Sequence, residues 1–236
     1  MNSFATAQSL TALPFPRQSF GKPLADDLYS QIFDAILERR LLPGSRFTED
    51  SLGQMFGARR SEIRSVLTRL AHQQIIVLRP HHRPRVAASD IEQIRQTLHA
   101  RRLTEIMLVH LASQRPLDLK PLREIIDQQR QCLDFGQRGA VLRLSGEFHL
   151  RLAAMAENAP LAHFLGSLVP MTALALAQFD GQIEDYCAWQ MHTQMLDALE
   201  CGDAAKAQAL LNRHLDCLEE KLLSLKPVQV QHRVTS

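Results

Sequence analysis

The sequence predicts a mainly α protein in two parts, an N-terminal winged helix-turn-helix followed by a C-terminal all-α antiparallel helical bundle. Three observations point there. Apolar residues recur at helical spacing through most of the chain. One β-branched run, Ile75-Ile76-Val77-Leu78-Arg79, leads into a Pro-bounded tip and a short return, as a two-stranded wing would. Charge is also divided unevenly. Lys22 to Ala87 carries a net of +4, and Ala88 to Ser236 a net of −3. Between Arg59 and Arg85 lie seven arginines, with Glu62 the one acid inside that stretch. A compact basic segment beside a mildly acidic remainder suggests a polyanion-binding module joined to something else.

Composition narrows the class. With 236 residues, 45% apolar and 22% charged, the chain is long enough for one or two ordinary globular domains. No apolar run approaches the roughly 20 residues of a membrane helix. The first 22 residues lack a basic-then-apolar leader pattern, so a cytoplasmic protein with no membrane partner is expected. Cys132, Cys187, Cys201 and Cys217 form no CxxC pair, which argues against a thiol redox motif or a zinc finger. No Gly-rich phosphate loop occurs among the ten glycines, so nucleotide-binding folds find no support.

Residues 1–21 hold Pro, Ser and Thr without helical periodicity and read as a flexible arm. Leu24, Leu28, Ile32, Ala35 and Ile36 make the first helical stripe, ended by Leu42-Pro43-Gly44. Thr48 precedes a short helix over about 49–56, and Gly57 closes it. A third helix over about 61–73 buries Ile63, Val66, Leu67 and Leu70. Helix, tight Gly turn and helix with a polar leading edge is the helix-turn-helix pattern. The wing strands follow over 75–79 and 85–87. From Ser89-Asp90, a helix cap, the reading is helical only, near 90–114, 119–134, 138–156, 160–178, 183–200 and 203–224. Pro170 falls inside the fourth of these and is expected to kink it. Short connections make this an antiparallel bundle. The domain reading is thus 22–88 for the winged helix, 89–226 for the bundle and 227–236 for a flexible tail.

On these residues the chain resembles a known family. Leu42-Pro43-Gly44-Ser45-Arg46-Phe47-Thr48-Glu49, then Leu52, Phe56-Gly57, Arg60, Arg64, Leu67, Arg69-Leu70 and Ile75-Ile76, are similar to the winged helix of GntR-type bacterial transcription regulators. Arg101, Glu105, Phe148-His149, Asn158-Ala159-Pro160-Leu161, His192, Gly202-Asp203 and His214 resemble the effector-binding FCD domain of the FadR-like branch. The resemblance implies a ligand-responsive DNA-binding regulator, more often a repressor. Its partners would be operator DNA carrying an inverted repeat, a small-molecule effector and a second copy of the chain in a homodimer.

The same resemblance places Arg60 and Arg64 in the major groove, where Arg bonds a guanine edge at two points. Ser61 and Ser65 are candidates for phosphate or base contacts. His81, His82 and Arg83 form the wing tip, suited to a minor-groove or backbone contact. Two departures stand out: Asp50 where relatives commonly carry a basic residue, and Arg83-Pro84 where many have Gly.

In the bundle, many FCD domains hold a divalent metal with one Asp and three His. Here His149, His192 and His214 are present, while Ser145 stands at the Asp position one helical turn before His149. Gly202 divides His192 from His214 almost evenly, so an antiparallel pair folded there puts both roughly 15–18 Å from the turn. Three imidazoles with open positions suit zinc or nickel. A metal-free pocket in which the three His bond an effector directly is the other reading. Arg101 and Glu105, one turn apart, form either part of the effector wall or an intrahelical ion pair. A metal-dependent enzyme built on the His149/His192/His214 cluster, such as a hydrolase, is the alternative from another class. It places no general base and leaves the basic winged helix unexplained.

Overall fold

The computed structural model describes residues 25–42, 44–88, 90–178 and 189–224. Among them the order is α1 (Ala25–Leu37), α2 (Glu49–Phe56), α3 (Arg60–His72), β1 (Ile76–Val77), β2 (Arg85–Val86), α4 (Ile91–Ser113), α5 (Lys120–Asp134), α6 (Arg138–Ala154), α7 (Ala159–Gln178), α8 (Trp189–Glu200) and α9 (Ala204–Ser224). The expected arm, the tail over 227–236, the break at Asp180-Gly181 and the start of the helix read from 183 lie outside the described residues.

Local chemistry sets the boundaries. Thr48 Oγ1 accepts from Ser51 N at 3.0 Å and Ser51 Oγ accepts from Thr48 N at 3.0 Å, a reciprocal cap on α2. Gly57, at φ 64°, ends that helix in the left-handed conformation and turns the chain toward α3. Asp90 Oδ1 accepts from Gln93 N at 2.8 Å at the head of α4. Gly202, at φ 72°, separates α8 from α9, and Asp203 Oδ1 accepts from Lys206 N at 2.9 Å.

The wing is shorter than its apolar run suggests. β1 and β2 pair antiparallel, Ile76 opposite Val86 and Val77 opposite Arg85. Pro80 and Pro84 bring no N–H to a ladder, so pairing stops short of them. The tip is a turn closed by His82 N donating to Arg79 O at 3.1 Å. Pro80 precedes His81, whose φ is 61°, the order a type II turn requires. The residue in the position that favours Gly is therefore His81, not Arg83.

One apolar cluster runs from Leu28, Ile32 and Ile36 of α1 through Leu67 and Leu70 of α3 to Phe148, Leu174, Leu196 and Leu215 of the bundle. α7 corrects the reading that no run approaches membrane length. It is long and apolar enough to cross a membrane by length and composition alone, and its helix continues past Pro170. Here it packs against α1, α4 and α6, which explains a helix apolar on most sides.

The winged helix and the bundle meet along α1, α6 and α7. Arg143 donates through Nε and Nη2 to the Asp34 carboxylate at 2.8 and 3.2 Å. Arg39 Nε donates to Ala177 O at 2.6 Å, and Gln178 Nε2 to Ala87 O at 3.1 Å. Gly139 lets the helices touch, because a Cβ there would lie 2.6 Å from the Asp34 carbonyl oxygen. Backbone cannot rotate away as a side chain can. Gly139→Ala is expected to destabilise the protein by roughly 1–3 kcal/mol through overpacking, measured by urea unfolding. Unchanged stability would show the junction to be loose.

Candidate functional site

Two regions gather the residues the sequence singles out. The first is the lead of α3. Arg60 is its first helical residue and Arg64 lies one turn on. Both side chains are largely exposed, at 64% and 63%, rather than folded into the core or against the bundle. Ser61 and Ser65 are exposed on the same helix. The opposite face, with Ile63, Val66, Leu67 and Leu70, is buried as its periodicity requires.

Sequence reading missed the partner of these arginines. Glu49, the first residue of α2, accepts from Arg60 Nε at 2.6 Å and from Arg64 Nε and Nη2 at 2.9 Å each. Hydrogen bonds from Arg64 and Arg60 hold its carboxyl down at about 2. Asp50 Oδ1 stands 4.0 Å from Arg60 Nη1, so this departure from the family pattern adds an anion beside Arg60 as well as removing a cation. Glu62 accepts from Arg59 N at 2.8 Å and caps α3. At the wing, His81, His82 and Arg83 are exposed, and His82 Nδ1 lies 2.8 Å from Pro80 O.

The second region is in the bundle. α6, α8 and α9 bring His149, His192 and His214 together so that one ring nitrogen of each lies within 4.8 Å of the others. All three are buried, as are Arg101 and Glu105 of α4. Arg101 Nε donates to Glu105 Oε1 at 2.6 Å, and His149 Nδ1 lies 2.7 Å from Glu105 Oε2. The intrahelical pair exists, but at 3–4% side-chain exposure the few tenths of a kcal/mol of a surface pair do not apply. Removing either partner strands a buried charge, at a cost of about 3–5 kcal/mol. Ser145 is half-buried one turn before His149, and Glu147 bonds Arg151 at 2.7 Å on the other side of α6.

The electrostatics suit a cation. Burial pushes the Glu105 carboxyl up, but the Arg101 charge, His149 and the hydrogen bonds together outweigh it and hold Glu105 well below the usual carboxylate range. Burial, then the neighbouring His149 charge, drives His192 and His214 well below the ordinary imidazole value. Both stay neutral at pH 7, the form that binds metals. His149 Nδ1 is turned toward the Glu105 carboxylate, and its Nε2 faces His214 Nε2 at 3.2 Å. Two lone pairs at that distance repel unless a cation or proton lies between them. His192 stacks on Phe148 with centroids 4.1 Å apart, and both its ring nitrogens are buried without a hydrogen-bond partner among the described residues. Arg101 Nη2 is buried and unpaired in the same sense. Orphaned buried polar atoms call for a ligand, and the donor set fits zinc or nickel. Trp189 lies half-buried beneath Arg130, and Met195 is core.

Comparison with known proteins identifies both parts of the chain. Residues 24–86 match the model of the gntR family of bacterial regulatory proteins, and residues 96–216 match that of the FCD domain. A relative from Paenarthrobacter nicotinovorans, described as a probable D-xylose utilization operon transcriptional repressor, is 26% identical over 193 residues, 79% of this chain and 84% of its own length. The Escherichia coli McbR/YncC structure superposes with a TM-score of 0.70 at 18% identity, covering 86% of this chain and 98% of that one. A GntR regulator structure from Rhodococcus sp. RHA1 gives 0.68 at 20% identity, covering 84% and 97%. These two share the fold. With both family models matched in order along the chain, the protein belongs to the GntR family of transcriptional regulators and carries an FCD domain as its C-terminal half.

Proposed function

We propose that this regulator is a ligand-responsive repressor that works in the cytoplasm as a homodimer on an inverted-repeat operator. Residues 22–88 read DNA, and residues 89–226 sense the ligand and dimerise. The observation that carries the reading is the exposed pair Arg60 and Arg64 at the lead of α3, on a helix whose other face is core. They take guanine edges after exchanging Glu49 for DNA, and Ser61 and Ser65 bond flanking phosphates. His81, His82 and Arg83 reach the adjacent minor groove or backbone. Leu103 and Met107, exposed apolar residues one turn apart on α4, support association through the bundle.

In the bundle, His149, His192 and His214 hold a zinc or nickel ion, with Glu105 behind His149 supplying the negative charge that Ser145 does not. The metal offers a Lewis-acidic position for an effector carboxylate. Arg101 Nη2, buried and unpaired, supplies the second contact to that carboxylate. The enzyme alternative gains nothing from the geometry. Glu105, the carboxylate beside the cluster, has one oxygen on Arg101 and the other on His149, so it is not free to act as a base.

α6 links the two sites. It carries His149 in the cluster and, roughly six and ten residues (about 9 and 15 Å) away, Arg143 and Gly139 at the α1 junction. A ligand that shifts α6 therefore shifts the mount of the reading helix, and effector and DNA affinities are reciprocally coupled. The test is fluorescence anisotropy on a duplex from upstream of the protein's own gene, with metal and a panel of small carboxylates. One carboxylate is expected to change DNA affinity about 5- to 150-fold, the usual range of such coupling. Binding that no carboxylate alters would remove the sensing half of the proposal.

A further inference from the structure

α5 buries a polar side chain that the fold leaves unanswered. Leu122, Ile126 and Gln129 recur at helical spacing and form one buried stripe. Leu122 and Ile126 belong to the apolar core, and Gln129 on the same stripe is fully buried. Neither its Oε1 nor its Nε2 has a hydrogen-bond partner among the described residues. A dry amide without partners is costly, and an apolar side chain of the same size would fill the space without that cost.

The two flanks of α5 fix where the stripe points. Arg123 and Arg130, two turns apart on one flank, both reach α8. Arg123 Nη2 donates to Asp197 Oδ1 at 3.0 Å and to Glu200 Oε2 at 2.6 Å, and the Arg130 guanidinium lies 4.6 Å from the Trp189 ring centroid. The contacts run in opposite order along the two helices, so α5 and α8 are antiparallel. They set Gln129 within about 3 Å of the height of His192. The other flank, at Ile125 and Gln128, lines a cleft shared with Leu144 and Glu147 of α6. The stripe between these flanks therefore faces the space between α6 and α8, the helices that carry His149 and His192.

Three buried groups of the bundle interior thus lack partners in the same sense: the Gln129 amide, both ring nitrogens of His192, and Arg101 Nη2. Their chemistry differs. A guanidinium only donates, which matches a carboxylate. A primary amide donates through nitrogen and accepts through oxygen. A hydroxyl, donor and acceptor in one group, answers both halves, whereas a carboxylate answers one.

We propose that Gln129 is a specificity-determining residue of the sensing site and takes the hydroxyl of a hydroxycarboxylate whose carboxylate is held at Arg101. The inference rests on the carboxylate-sensing reading above and narrows its ligand class. A deoxy acid in the same place leaves the amide buried and unanswered, so the site rejects it.

The experiment is calorimetry on the full-length, zinc-loaded protein with glycolate, 3-hydroxypropanoate and 4-hydroxybutanoate, each against acetate, propanoate and butanoate. The series steps the hydroxyl away from the carboxylate one carbon at a time. At one length the hydroxy acid is expected to bind roughly 10- to 100-fold tighter than its deoxy partner. Gln129→Leu is expected to abolish that ratio by weakening the hydroxy acid, with zinc affinity at the wild-type value. Ligand-free Gln129→Leu should also melt higher than wild type, because the unanswered amide is gone. Gln129→Met makes the same test if the Leu variant does not fold. Hydroxy and deoxy acids bound alike by the wild type, or a preference that survives in the variant, would overturn the role of Gln129 and leave carboxylate sensing standing. A variant that melts lower without ligand, or that loses zinc, would make Gln129 a structural or metal-site residue and overturn the proposal in that way. Wild-type protein that binds none of these acids would sink the carboxylate-sensing reading and this proposal with it.

Discussion

The double substitution Arg60→Ala/Arg64→Ala is expected to lower operator affinity on the order of a hundredfold or more, because in the proposed reading each arginine makes a two-point contact with a base edge. The loss should fall on discrimination. Affinity for a random duplex, which rests on phosphate contacts, should drop far less, so the ratio of operator to random binding collapses toward one. Thermal unfolding should be almost unchanged, since both side chains are mostly exposed and each leaves behind only Glu49, itself near solvent. Glu49→Gln makes the opposite change. It relaxes the hold on both arginines and is expected to raise affinity for random DNA. Anisotropy on operator and random duplexes in parallel checks both variants. A double variant that keeps its operator preference would show that α3 does not read sequence.

The second large effect concerns the histidine cluster. Chelator-stripped protein titrated with zinc or nickel should bind one ion per chain. At free metal one hundred times the dissociation constant, the folded state gains about 2.7 kcal/mol. For a chain of this size that is a rise of about 5–10 °C in Tm. His192→Ala should abolish the rise, and Ser145→Asp should enlarge it by restoring an anionic ligand at the position one turn before His149. The pH dependence has a definite sign. Burial keeps His192 and His214 below their ordinary value of 6.5, so below that pH the unfolded chain takes up protons the folded one refuses. Stability of the stripped protein is then complete above about 6.5 and declines as pH falls, and metal affinity declines with it because protons compete for the imidazoles. Protein that binds no stoichiometric metal, with a Tm indifferent to zinc and nickel, would leave the three His as direct effector contacts.

Much of this was legible before any coordinates. Helix periods, the Thr48 and Asp90 caps, Gly57 and Gly202, and the Pro-bounded wing are local features, written within a few residues of where they act. They place every helix described here to within a few residues, apart from the start of α8, which the reading put near 183, outside the described residues. They mark the start of α3 as a basic face. Even the meeting of His192 and His214 follows from their nearly equal spacing about Gly202, because an antiparallel helix pair converts equal spacing into equal height.

What only the tertiary structure decided is which distant charges meet and how dry they are. Glu49 lies outside the basic stretch in sequence, yet the turn at Gly57 sets it on Arg60 and Arg64. Arg46 belongs to the connection before α2 until it pairs alongside Arg85. Arg101 and Glu105 look the same on paper as any helix-surface pair. Packing of α4 against α9 and α6 buries them, and Glu105 thereby becomes the anion behind His149. Local pattern specifies each helix through neighbours three and four residues away. Electrostatic partnership and burial depend on packing between elements far apart in the chain, and no local period encodes that.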